Sequence, residues 1–238
     1  MDAFIVGDLH GDITFYRLVK QKFPNENIIL LGDLVDSFVC TRAEQINLVE
    51  EVIKDLEDKK VQCVKGNHEL SYLFPERMKA SGYASSFAAR LIPYFSKMHS
   101  LMSNYILDED KAVLISHAGL TYRLLSFYKT FILQSVPGES VEIDLKTFLE
   151  ESCRDLDNGL VYNIGRSRGG VDSVGGIFWC DYFVDFEPIE GLTQIFGHTP
   201  VSEIKQKGNN WNIDCLPEKS QIIHLKNDNS VEKVDIDI

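Results

Sequence analysis

Nowhere in the 238 residues is there an apolar run approaching the roughly 20 residues that a membrane-spanning helix requires. The opening stretch, MDAFIVGDLHGD, has neither the basic start nor the apolar core of a secretory leader. No export signal and no membrane partner are expected, and a cytoplasmic location follows. Cysteine is scarce and badly spaced for cross-linking. There are five, an odd number, at Cys40, Cys63, Cys153, Cys180 and Cys215, with no CxxC pair. That usage excludes a disulfide framework and a zinc ribbon, and predicts buried reduced thiols. Basic residues are also short: 24 Lys and Arg stand against 36 Asp and Glu, for a net charge of -12. No basic stripe exists for an extended nucleic-acid surface. The same excess of carboxylate suits a site for multivalent cations.

What is present is a regular alternation over the first 70 residues. AFIV (3–6), NIILL (27–31) and VQCV (61–64) are short apolar runs that read as buried strands. Between them, residues 13–23 and 42–59 carry apolar positions at helical spacing. A β-α-β-α-β series predicts a parallel sheet with helices packed on it. Residues 70–102 read as helical, 103–117 as a hairpin turning at DEDK, and 121–156 as a second helical stretch. Residues 158–191, rich in Gly and Asp, read as a long loop region. The remainder reads as strands around QIFGHTP, NWNIDCL, QIIHL and VEKVDIDI. No repeat or linker interrupts the chain, so one domain over 1–238 is expected.

Each of the first three strands runs directly into a polar cluster: GDLHGD, GDLVDS and GNHE. In open α/β sheets the carboxyl ends of the strands hold the ligand, so these clusters should meet along one edge. Two later clusters, SHAG and FGHT, also follow apolar runs. Together they offer Asp8, His10, Asp33, Asp36, Asn67, His68, His117 and His198. Carboxylate and imidazole in combination suit divalent first-row metals. Asp8 and His10, two residues apart, are expected on one side of an extended strand end. Asp33 can bridge two ions. The expected ligand sets are Asp8, His10 and Asp33 for one ion, and Asp33, Asn67, His117 and His198 for the other. Paired ions clamp a phosphoryl group and acidify a water. His68 is then left free as a general acid, with Asp36 to orient it. A lone His or GD pair after a strand is uninformative, but five such clusters in one chain are not.

At these residues the sequence resembles the calcineurin-like metallophosphoesterases, and within them the phosphoprotein phosphatase branch. The stretches concerned are GDLHGD (7–12), GDLVDS (32–37), GNHEL (66–70), SHAGL (116–120) and FGHTP (196–200). The resemblance implies an α/β fold with a central β-sandwich flanked by helices. It also implies two divalent ions, manganese foremost with iron or zinc as alternatives, and direct attack of a metal-activated water on a phosphate ester. It places ligands and acid on the residues assigned above, and a structural contact on Glu69. The second motif departs from the family: Asp36 is followed by Ser37 and Phe38, where the phosphatases carry arginine and glycine. The phosphate is therefore expected to be held differently. GRSRGG (165–170) supplies Arg166 and Arg168, whose guanidinium forks suit phosphate and which would share a direction if the segment were extended. Trp179 is expected in the core, and Asp214 as a hydrogen-bond anchor. The expected partner is a phosphorylated substrate, protein or small molecule. A phosphomonoesterase is the leading reading, with hydrolysis of dinucleoside polyphosphates or capped RNA ends as the alternative.

Overall fold

In the computed structural model, which describes residues 1–135 and 144–237, the alternating N-terminal series forms as read. β1 (Ala3–Val6), β2 (Ile28–Leu30) and β3 (Val61–Cys63) lie parallel, joined by α1 (Ile13–Lys22) and α2 (Arg42–Glu57). Each helix starts on a side chain suited to its first turn. Asp12 accepts the Phe15 N–H at 2.8 Å. Thr41 and Glu44 form a reciprocal capping box at the head of α2. Two late strands, β9 (Gln221–Leu225) and β10 (Val231–Asp235), add antiparallel beyond β1, giving the order β10-β9-β1-β2-β3.

A second five-stranded sheet has the order β4-β5-β6-β8-β7. Its strands are β4 (Ile106–Asp108), β5 (Val113–Ile115), β6 (Thr193–Phe196), β7 (Lys205–Lys207) and β8 (Asn210–Asn212). β5, β6 and β8 are parallel, and β4 and β7 pair antiparallel at the two edges. The strand β7 was not expected. Its residues, Lys-Gln-Lys, are exposed or half-buried and carry no apolar pattern.

Side chains alternate between faces, as a pleated strand demands. Phe4 and Val6 of β1 and Ile28 and Leu30 of β2 pack under α1, α2 and α4 (Ser85–Met98). Their neighbours Ile5, Ile29 and Leu31 face the other way and meet Val113, Ile115 and Ile195 of the second sheet. Leu114 points outward, with Leu124 of α5 (Tyr122–Ser135) and Phe148 of α6 (Leu145–Arg154). The layers run helices, sheet, sheet, helices, as expected.

Two helical readings are revised. The stretch 70–102 is two helices, α3 (Asn67–Leu73) and α4, because Phe74 leaves helical geometry ahead of Pro75. α3 also begins earlier than expected, at Asn67, so the GNHE cluster is a helix start rather than a turn. The stretch 121–156 likewise holds two helices, α5 and α6. The residues between them, 136–143, lie outside the described residues. Residues 158–191 form loops with two short 3-10 turns, Leu160–Tyr162 and Arg166–Arg168.

Phe95 of α4 is fully buried, with its ring centroid 5.8 Å from that of Tyr72 of α3. Truncating it leaves a cavity that a well-packed interior closes only in part. Phe95→Ala is therefore expected to lower stability by about 3–5 kcal/mol. The measure is a lower urea midpoint at unchanged m-value. An unmoved midpoint would contradict this packing.

Candidate metal centre

The polar clusters do meet, at the carboxyl ends of strands from both sheets. The backbone there is fastened strand to strand. His10 N–H donates to Asp33 O at 2.8 Å and Gly11 N–H to Leu34 O at 2.9 Å, while Gly197 N–H donates to His117 O at 2.7 Å. Four of the converging residues sit at positive φ: His10 (40°), Asp33 (51°), Asp36 (64°) and His198 (69°). Left-handed backbone is uncommon outside glycine, and its clustering at a site is a mark of function. It also corrects the extended reading of Asp8 and His10. β1 ends at Val6, and the chain has turned by the time it reaches His10.

Asp33 is the centre of the arrangement. Its Oδ1 accepts the His68 backbone N–H at 3.0 Å. Its Oδ2 lies 3.3 Å from His117 Nε2, 3.7 Å from His68 Nε2 and 3.9 Å from His10 Nε2. Burial works to raise its pKa, but His117, His68 and His10 overcome it and hold the carboxyl well below its ordinary range. Asp33 is thus a buried anion.

On one side of Asp33, three donor atoms crowd together. His117 Nε2 is 2.8 Å from Asn67 Oδ1 and 3.1 Å from His198 Nδ1, and His198 Nδ1 is 3.0 Å from Asn67 Oδ1. His117 Nδ1 lies 2.8 Å from Leu31 O, which makes Nδ1 the N–H and turns the Nε2 lone pair into the cluster. Without an ion, Asp33 raises the His117 pKa against burial, so that a proton fills the gap. A proton satisfies one of these atoms at a time. A divalent cation satisfies all of them together. Burial and the neighbouring His117 push the His198 pKa down, which keeps its imidazole in the neutral, ligating form.

On the other side, His10 Nδ1 lies 2.7 Å from Val35 O, leaving Nε2 to face inward. Burial lowers its pKa also. Asp8 Oδ2 accepts the His198 N–H at 2.9 Å, while its Oδ1 is buried with no partner among the described residues. That orphaned oxygen is admitted by Gly197, where a Cβ would stand 2.0 Å from it. Burial, then Asp214 and Asp33, raise the Asp8 pKa well above normal. A buried carboxylate without a partner is costly. The donor set of carboxylates, amide oxygen and neutral imidazoles fits divalent first-row ions on both sides. The tightest groupings are Asp33–His117–His198 and His10–Asp33–His68, with all ligand atoms of each within 4.8 Å.

His68 is set apart by a second bond. Its Nδ1 lies 2.7 Å from Asp36 Oδ2. Asp36 Oδ1 in turn accepts from the Tyr72 hydroxyl at 2.5 Å. Burial works to lower the His68 pKa, but Asp33 and Asp36 outweigh it and raise it to about 9. Glu69 ties the second and third clusters together. Its Oε2 accepts from Gly66 N–H (2.8 Å) and Asp33 N–H (3.0 Å), and its Oε1 from Leu34 N–H (2.8 Å).

A cavity of about 540 Å³ opens over these residues. Asp8, His10, Asp33, Asp36, Asn67, His68 and His198 line it, and His117 is buried beneath. Arg168 lines it too, donating from Nη2 to Thr199 Oγ1 at 2.6 Å, with Nε 3.1 Å from Asp181 Oδ2. Arg166 does not line it. The segment is a 3-10 turn rather than extended, so residues two apart diverge by about two-thirds of a turn. Trp179 is buried as expected, and also lines the cavity, its ring 5.8 Å from His198. Asp214, expected as an anchor, makes no side-chain hydrogen bond among the described residues. It lines the cavity, and burial and then Asp33 raise its pKa to about 7. Lys79 was missed entirely. It lies between α3 and α4, and no sequence signal joins it to the strand-end clusters.

Binding a cation here removes the repulsion among Asp8, Asp33 and Asp214 only in the folded state. Adding Mn²⁺ at about a hundred times its Kd to chelator-stripped protein should stabilise it by about 2.7 kcal/mol. For a chain of this length that is roughly 5–10 °C in Tm. Asp33→Asn should lose most of the rise. A Tm indifferent to divalent ions would count against the centre.

Among solved structures, the fold is similar to a protein serine/threonine phosphatase from Saccharomyces cerevisiae. That match has a TM-score of 0.55 at 16% identity, covering 100% of this chain and 81% of the other. A hypothetical protein from Pyrococcus horikoshii aligns with a TM-score of 0.47 at 10% identity, over 99% of this chain and 88% of that one. No curated protein matches the sequence. Among the described residues, no helix is long and apolar enough to cross a membrane. The family profile for calcineurin-like phosphoesterases matches residues 1–202, which takes in all five polar clusters. The chain belongs to the calcineurin-like phosphoesterase family and is a metal-dependent phosphoesterase.

Proposed function

We propose that the protein hydrolyses phosphate monoesters with two divalent ions, manganese in the first instance. One ion is held by Asp8, His10 and Asp33, and the other by Asp33, Asn67, His117 and His198. The observation that carries this reading is the crowding of the Asn67, His117 and His198 donor atoms around the buried anion Asp33, with the His68–Asp36 pair opening into the same cavity. When bound, the paired ions supply Lewis acidity to the phosphoryl group and acidify a water as nucleophile.

The remaining steps fall to side chains. Asp36 fixes the His68 ring through Nδ1, so the proton that His68 can give is on Nε2. His68 donates it to the departing ester oxygen as the P–O bond breaks. Arg168, held by Thr199 and Asp181, offers a pre-set guanidinium to the phosphate. Lys79 adds a second cation at the rim. Two cations beyond the metal sites and a cavity roomier than one phosphate needs favour a second reading, hydrolysis of dinucleoside polyphosphates. A side-by-side assay on phosphopeptides, diadenosine polyphosphates and capped RNA separates the two.

Hydrolysis of p-nitrophenyl phosphate should require Mn²⁺ and vanish on chelation. Full turnover after demonstrated removal of the ions would refute the mechanism. His68→Ala should keep its metal content while losing about 10²–10⁴ in kcat on alkyl phosphates, and less on esters of acidic phenols. The raised His68 pKa keeps the acid form present at low pH and loses it as pH climbs. Bound cations work against that rise, so the alkaline limb of the rate should fall at or below about pH 9, and His68→Ala should lack it.

Arg168→Ala should raise KM for phosphate esters by about tenfold, the scale of one charge-assisted contact. Arg166→Ala should leave KM as it was. Equal effects at both positions would contradict the placement of Arg168 alone at the cavity.

A further inference from the structure

The loop between β2 and α2 carries two of the most exposed large apolar side chains among the described residues. Phe38 is 85% exposed and Val39 84%. Such exposure is ordinary in a slack loop, but this loop is pinned at both ends. Ser37 Oγ accepts from Val39 N–H (3.2 Å) and Cys40 N–H (2.9 Å). Gln45 of α2 accepts the Asp36 N–H at 2.9 Å and donates to Cys40 O at 3.0 Å. Gly11 lets the loop close down from below. A Cβ there would come within 2.6 Å of Gln45 Cγ and 3.0 Å of Cys40 Cβ. The residues on either side of the pair are fixed, and Phe38 and Val39 are held out in water on the lip of the cavity.

The position of this lip has a consequence for the leaving group. The ester oxygen must lie against the group that protonates it, which is His68, held by Asp36. Phe38 is two residues beyond Asp36 and lines the same cavity. A group attached to that oxygen shares the cavity with Phe38, while the phosphate lies with Arg168 and the metal-binding residues. A volume of about 540 Å³ leaves room for that group. Leu216 and Pro217 also line the cavity and add apolar surface to its wall.

We propose that Phe38, supported by Val39, is a specificity-determining residue that selects phosphate esters with a flat aromatic leaving group. The proposal rests on the phosphoesterase reading and on His68 as the acid. An aromatic ring laid on Phe38 removes two apolar faces from water and adds the ring–ring contact. A polyol in the same place forfeits both. No bond changes beyond those of ester hydrolysis are involved.

The test uses the full chain loaded with manganese and two substrates, 2-naphthyl phosphate and glycerol 2-phosphate. For each variant, the quantity read is the ratio of kcat/KM on the first to that on the second. Relative to the parent, Phe38→Ala should lower the ratio roughly tenfold, and Phe38→Trp should hold it within about twofold. A ratio unmoved by Phe38→Ala overturns the proposal while leaving the phosphoesterase reading intact. No metal-dependent turnover of either substrate by the parent overturns that reading and this proposal with it. Sedimentation of parent and Phe38→Ala decides the rival occupant. Self-association lost on substitution, with the ratio unmoved, assigns the lip to contact between two copies of the chain.

Discussion

The site depends on a single buried negative charge. Asp33 is held by its backbone N–H on Glu69 and by its Oδ1 on the His68 N–H, which aims Oδ2 at three imidazoles. An isolated anion in such a place is very costly, and pairing is the condition of its survival. Without ions, His117 and His68 supply the pairing by taking protons. Divalent cations would do so more completely, because they would also engage Asn67 Oδ1 and the Asp8 Oδ1 that has no partner among the described residues. The fold and the chemistry are therefore linked through the same atom.

Neither sheet makes this site alone. The first brings Asp8, His10, Asp33 and, at the head of α3, Asn67 and His68. The second brings His117 and His198. The halves are stitched by polar bonds at the rim as well as by the apolar layer between the sheets. His117 Nδ1 reaches Leu31 O of the first sheet, and Asp8 reaches the His198 N–H of the second. A shift between the sheets would break both bonds and scatter the clustered polar residues. Rigidity of the inter-sheet layer, from Ile5 and Ile29 to Ile115 and Ile195, is thus a requirement of the chemistry.

The legible features were those with a local physical cause. Short, mostly apolar runs leading into a polar cluster marked β1, β2, β3, β5 and β6, and with them the turns that carry Asp8, His10, Asp33, Asn67, His117 and His198. The Asp36–His68 pairing was legible as residue types, and its 2.7 Å geometry was not. Other features lacked a local cause. The strand β7 is a polar edge whose only reason for existing is the neighbour it pairs with. Asp214 reads as an anchor from its place in NID (212–214), which resembles a strand beside the site in the phosphatase branch. Its perturbation comes from burial first and then from Asp33, far away in sequence. Arg166 and Arg168 looked equivalent until the 3-10 turn at Gly165–Gly169 pointed them apart.

By itself the sequence determined the alternation of elements and the type and order of the polar residues that follow the strands. Each of these follows from composition or short-range spacing. Tertiary structure alone decided which polar atoms meet, since residues up to 190 positions apart are brought within hydrogen-bonding distance by the packing of one sheet against the other. It also decided that Lys79 and Arg168 flank the cavity and that Phe38 stands in water on its lip. Those outcomes depend on loop closures such as Gln45 onto Cys40, which no periodicity along the chain encodes.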